Sequence, residues 1–244
     1  MKARNFAYAR PATLAEALEL LEHHGEGAVP LAGGQSLLAT LNMRLSSPEI
    51  LVDIGNITEL NAISVAGDEV SIGALTTHVE ILESPVVKQH LPLLSEAIRH
   101  VAHVAIRNRG TIGGSLAYAD PAAELPACTL ALGGTLVLAS RRGERKVSAD
   151  RFFKGLFETD LKAGELIVEI RFPIQRSNQR WVFFELSRRR GDFAIAGIAI
   201  VATLSGTRVA DSRVVYLGCV DKPTLAGAVS TGLVGKSLPL ADFD

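Results

Sequence analysis

IRNRGTIGGSLAYADPAAELP, residues 106–126, is the stretch whose reading decides the fold, and LAGGQSL at residues 31–37 is its shorter echo. Each contains a glycine pair followed closely by serine: Gly33-Gly34-Gln35-Ser36 and Gly113-Gly114-Ser115. Glycine tolerates positive φ and lets backbone N–H groups close on an anion. Successive N–H groups in such a turn form a concave nest for anionic oxygens. Two nests far apart in sequence suit a ligand with two linked phosphates.

The flanking pattern supports this. Residues 28–31 read as a short strand entering the first glycine turn, with Ser36 as the cap of a helix over 37–45. An apolar strand follows at 50–54. Strand, glycine turn, helix and strand make a small βαβ unit, so the turn lies at a helix N-terminus, where anions are favoured. Upstream, Thr13 caps a helix whose stripe is Leu14, Ala17, Leu18 and Leu21 and which Gly25 ends.

Residues 69–74 alternate as a half-buried strand after the Gly67-Asp68 turn. Thr77 caps a helix reaching Leu82, and a second helix spans 92–101. Beyond the central stretch come a helix over 122–132 closed by Gly133-Gly134, a strand at 135–139, a turn at 141–144 and a strand at 166–172. Phe152, Phe153 and Phe157 read as core. The polar segment 173–179 is the linker. Strands at 181–186, 197–204 and 213–217 then imply a smaller antiparallel unit, with a helix beginning within 224–229.

Composition narrows the function. The 244 residues are 48% hydrophobic and 21% charged, as in an ordinary globular protein able to bury a large core. A net charge of −1, with one Trp and three Tyr, gives no basis for a nucleic-acid partner. Cys128 and Cys219 are the only cysteines, so the chain cannot itself hold a four-cysteine iron–sulfur centre. The six histidines lack a metal-ligand spacing, and no Rossmann G-x-G-x-x-G, Ser-His-Asp or paired-carboxylate arrangement is present. With no signal-like N-terminus and no run of about 20 apolar residues, the expectation is a soluble, cytoplasmic protein without a membrane span.

AGGQS at 32–36, TIGGS at 111–115, ADPAAELP at 119–126 and ELSRRRGDFAIAG at 185–197 together resemble the FAD-binding medium subunit of molybdenum hydroxylases, the carbon monoxide dehydrogenase and xanthine dehydrogenase type. The resemblance implies an α+β fold with α/β lobes. A two-lobed FAD-binding domain of the PCMH-like type would occupy 1–175, with lobes of about 1–55 and 56–175. A small C-terminal α+β domain with a three-stranded antiparallel sheet would occupy 180–244, truncated or naturally short beside its relatives.

It further implies that Ala32, Gly33, Gly34, Gln35 and Ser36 bind the FAD pyrophosphate and nearby groups. Thr111, Gly113, Gly114 and Ser115 would form the other side of the cradle. Glu124 falls where the family has an acidic residue near the ribityl and ribose hydroxyls, Tyr118 stands where many relatives carry His, and Val168 aligns near the flavin. Phe184 and Glu185 stand where relatives often place a Lys beside the isoalloxazine.

The implied role is electron relay without a catalytic side chain. A large molybdopterin subunit oxidises substrate, a small subunit carries 2Fe–2S iron–sulfur clusters, and FAD on this chain passes electrons on, in a dimer of heterotrimers. The alternatives are a stand-alone flavin oxidase of the vanillyl-alcohol-oxidase-like group and a non-catalytic binding module that lost FAD.

Overall fold

The computed structural model describes residues 2–237, so the expected end of the small domain at 244 lies outside the described residues. The chain begins with β1 (Ala7–Ala9), α1 (Leu14–His24), β2 (Ala28–Leu31), α2 (Leu37–Asn42) and β3 (Ile50–Asp53). Both β1 and β2 run parallel to β3, which lies between them. Thr13 caps α1 by accepting the Glu16 N–H, and Gly25 at φ 53° ends it. The βαβ unit is therefore present. Three exposed or half-buried residues gave no sequence signal for β1.

Next come β4 (Ile63–Ala66), β5 (Glu69–Gly73), α3 (His78–Glu83), α4 (Pro85–His90), α5 (Pro92–Ala97), α6 (Val104–Arg107), α7 (Ile112–Tyr118) and α8 (Glu124–Ala131). Thr77 and Glu80 form a reciprocal capping box at the start of α3. The helix expected over 92–101 stops at Ala97, and Ala102 at φ 39° turns the chain away. Then follow β6 (Thr135–Ser140), β7 (Gly143–Ser148), α9 (Ala149–Phe152), β8 (Phe153–Gly155), β9 (Glu158–Thr159) and β10 (Leu166–Pro173). The central sheet has the antiparallel order β4-β5-β10-β6-β7.

The last unit comprises β11 (Gln179–Leu186), β12 (Ala196–Ser205), β13 (Arg208–Leu217), β14 (Thr224–Leu225) and α10 (Gly227–Leu233). Its three long strands are antiparallel, and the short β14 pairs with the outer side of β13. Thr224 and Leu225 are thus strand rather than the start of a helix, which begins at Gly227.

Every residue of α8 is buried. A helix apolar on all sides must be covered on all sides, and α8 lies in one core with Leu94 and Ile98 around α5, Leu116 of α7, Leu136 and Phe172 of the central sheet, and Val215 and Leu217 of β13. Arg213 on β13 donates to the Leu130 carbonyl at 2.8 Å and pairs with Asp150 at 2.7 Å, so a cation closes the C-terminal turn of α8. A second core joins Leu18 and Leu21 of α1 to Val52, Leu75, Val137 and Val168. Phe152 and Phe153 are core as expected, whereas Phe157 is 51% exposed at φ 54°. Among the described residues, no helix is long and apolar enough to cross a membrane.

Leu116 is fully buried where α7 meets the main core. Leu116→Ala should lower stability by about 2–5 kcal/mol through lost burial and a residual cavity. A urea melt showing less than about 1 kcal/mol of loss would contradict this packing.

Candidate functional site: a cradle of two glycine loops

The two glycine motifs meet in space. A Cβ on Gly33 would lie 1.9 Å from the Arg109 carbonyl oxygen and 3.0 Å from the Gly110 Cα, so only glycine permits the contact. A Cβ on Gly114 would stand 3.8 Å from the Ala32 Cβ. Residues some eighty positions apart thus form the two adjoining walls of one candidate site.

The walls differ in what they can offer. In the first loop, the backbone N–H groups of Gly33, Gly34, Gln35 and Ser36 have no acceptor among the described residues. Gly34 takes φ 70°, and the Gln35 side chain donates back to the Gly33 carbonyl at 2.9 Å, fixing the turn. Four consecutive donors are left without a partner among the described residues, which is what an anion nest requires. Ser36 does not cap α2. Its backbone is already helical (φ −101°, ψ −48°), which turns its hydroxyl away from the cap position, and its carbonyl accepts from Thr40 Oγ1.

The second loop departs from the expected nest, because its donors are spent within the chain. Ile112 N–H goes to the Thr76 carbonyl, Gly113 N–H to Ala74, Gly114 N–H to Thr111 Oγ1 and Ser115 N–H to the Thr111 carbonyl. Gly113 is buried, and a Cβ there would lie 2.6 Å from that of Ala74. It is glycine so that α7 can pack against the end of β5. What this wall presents is a small surface at Gly114 and the Ser115 hydroxyl.

One contact that carries no sequence signal joins the two walls again. Tyr118 at the end of α7 shares a 2.8 Å hydrogen bond with Thr40 on α2, tying together the helices that follow the two loops. Phe157 packs edge-on against the Tyr118 ring at 5.3 Å. Neither partner carries a motif, so only the folded chain shows the latch. Val168 lies elsewhere in the same neighbourhood, 8% exposed, in the smaller core against which Ala32 also packs.

Residues 4–175 match the family model described as the FAD binding domain in molybdopterin dehydrogenase. The chain belongs to this family. Residues 181–242 match the CO dehydrogenase flavoprotein C-terminal domain. The chain is 41% identical over 233 residues to the glyceraldehyde dehydrogenase medium chain of Sulfolobus acidocaldarius, covering 96% of this chain and 82% of that one. It is 42% identical over 232 residues to the carbon monoxide dehydrogenase medium chain of Hydrogenophaga pseudoflava, with coverages of 95% and 81%. The solved carbon monoxide dehydrogenase of Hydrogenophaga pseudoflava superposes with a TM-score of 0.95 at 39% identity, over 99% of this chain and 84% of that one. Quinoline 2-oxidoreductase from Pseudomonas putida 86 gives a TM-score of 0.92 at 40% identity, with coverages of 98% and 83%.

FAD carries a diphosphate, and the free donors of the first loop fit that group. Beyond the loops lies a buried acidic cluster. Glu124 opens α8 and is 8% exposed; burial, aided by the nearby charges of Glu185 and Asp120, pushes its carboxyl up to about 8. Asp120 is raised too, mainly by burial, although its Oδ1 accepts the Ala122 N–H at 2.9 Å in a local turn. Glu185 points inward from β11 with its side chain 3% exposed, 3.4 Å from His100 Nδ1, and its second oxygen has no partner among the described residues. Its neighbour Phe184 faces outward. A surface groove of about 640 Å³ between α1 and Arg141 touches neither glycine loop.

Two results should follow. Gly33→Ala must push Arg109 away, costing about 3 kcal/mol or more as overpacking against backbone, whereas Gly114→Ala meets only the Thr111 hydroxyl closely, at 2.9 Å. Equal thermal stabilities for the two variants would contradict the loop contact. For Glu124 the folded carboxyl titrates above its usual 4.5, so stability is full below pH 4.5 and declines as pH rises toward 8. Glu124→Gln should therefore flatten the pH dependence of the ligand-free chain, with a gain of about 2 kcal/mol or more at pH 8; an unchanged urea profile would place the carboxyl in water.

Proposed function

We propose that this chain is the FAD-carrying, electron-transferring medium subunit of a molybdenum hydroxylase complex. In this reading a large molybdopterin subunit oxidises the substrate, and a small subunit with 2Fe–2S clusters delivers electrons to this chain for transfer to an external acceptor. The assembly is a cytoplasmic dimer of heterotrimers. The chain divides into the FAD domain, residues 1–175, and the small domain, residues 180–244.

The observation that carries the reading is the run of N–H groups from Gly33 to Ser36 without a partner among the described residues, in a loop that lies against the wall at Gly114. These donors hold the diphosphate, with the Ser115 hydroxyl and Ala32 beside it. Thr111 serves as the cap that sets α7 in place. Glu124, kept protonated by burial at neutral pH, can donate to as well as accept from a sugar-chain hydroxyl. FAD supplies the redox chemistry when bound, and the protein supplies binding and orientation. Two cysteines in the whole sequence leave the iron–sulfur centres to another chain. Several relatives are themselves named as parts of assemblies, including the nicotine 6-hydroxylase medium subunit of Paenarthrobacter nicotinovorans.

The test is an absorbance spectrum of the purified chain before and after denaturation, with the released cofactor identified. One FAD per chain without iron–sulfur absorption is expected. No flavin even after reconstitution would overturn the cofactor assignment, and substrate oxidation by the isolated chain would point to a stand-alone oxidase.

A further inference from the structure

His78 is the one buried histidine among the described residues, and it stands directly behind the cradle. It is the first residue of α3, and its backbone N–H donates to the Gly110 carbonyl at 2.9 Å. Thr77 before it forms a β-bridge with Thr111. Its ring packs flush on Gly110, where a Cβ would lie 3.0 Å from Cε1. Gly110 in turn touches the place where Gly33 lacks a side chain. Ring, second loop and first loop therefore form a single stack.

We propose that His78 is a positioning residue for the cofactor: its neutral ring backs Gly110 against Gly33, and its protonation loosens the two loops and speeds FAD release. This rests on the reading that FAD occupies the cradle. The side chain is 5% exposed, and neither ring nitrogen has a hydrogen-bond partner among the described residues. An imidazolium carries two N–H donors, and the Thr111 backbone is the one acceptor that bears on them, which leaves the other donor unsatisfied in that place. The charged group that bears on it is Arg107 of α6, of like sign, while the Glu80 carboxylate on α3 is engaged by Thr77 and Asn61. Burial foremost, opposed by the Thr111 backbone and aided by Arg107, holds the His78 ring down to about 4. Because the ring titrates lower packed than free, the closed arrangement is fully supported above pH 6.5. Support is lost as pH falls from there toward 4.

The experiment follows FAD release from the loaded chain by the recovery of flavin fluorescence, from pH 7 to pH 5, in wild type and His78→Gln. If release passes through the loosened loops, the wild-type rate should rise roughly tenfold or more over that range. His78→Gln should show little change. A wild-type rate that is flat, or that slows as pH falls because a cationic ring holds the diphosphate, overturns the proposal, as does an equal rise in the folded variant. His78→Asn serves as a second variant. Should neither fold, the wild-type profile decides alone. A chain that holds no FAD at pH 7 fails the cofactor reading itself, and this proposal with it.

Discussion

The missing side chain at Gly33 is the constraint on which the site depends. With the Arg109 carbonyl 1.9 Å from where a Cβ would be, the backbone of the first glycine loop rests directly on the segment that leads into the second. That contact fixes the separation between the loop that offers free N–H donors and the wall that faces it. Each wall is then held from behind: the first by β2 and α2, the second by β5, His78 and the Thr111 cap. The Tyr118–Thr40 bond repeats the connection one helix length further on. An anion held there meets donors already fixed by the fold, which lowers the ordering cost of binding.

The second organising feature is α8, buried along its whole length and starting with an acid. Taking a charge out of water is costly unless it is paired. Burial raises the Glu124 carboxyl to about 8 and raises Glu185 too, where His100 at 3.4 Å acts against the rise. The same burial raises the Cys128 thiol, with the two glutamates adding to it. These groups lie where the central layer meets the last sheet, so the electrostatics of the cradle's flank and the docking of β11–β13 depend on one another.

Much of this was legible in the sequence, because the strongest signals are local. Thr13 and Gly25 bracket α1, the Gly67-Asp68 turn announces the strand that follows it, and the glycine pairs mark both walls. The misses have physical reasons. β1 and β14 are too short for periodicity to register. α2 and α5 end before the expected positions, with Arg44 and Ala102 at positive φ beyond their ends, a backbone state that apolar periodicity does not announce. Phe157 is counted as core by composition yet lies half exposed against Tyr118. The two glycine pairs look alike on paper, and only hydrogen-bond accounting separates a loop that has donors to give from one that has spent them. His78 and Thr40 carry no motif at all.

The most direct measurement is a crystal structure of this chain with FAD bound. The account predicts diphosphate oxygens within about 3 Å of the backbone nitrogens of residues 33–36, with Ile112–Ser115 N–H groups still bonded inside the chain. A diphosphate seated away from residues 33–36, or held by N–H groups of α7 freed from Thr76, Ala74 and Thr111, would contradict it.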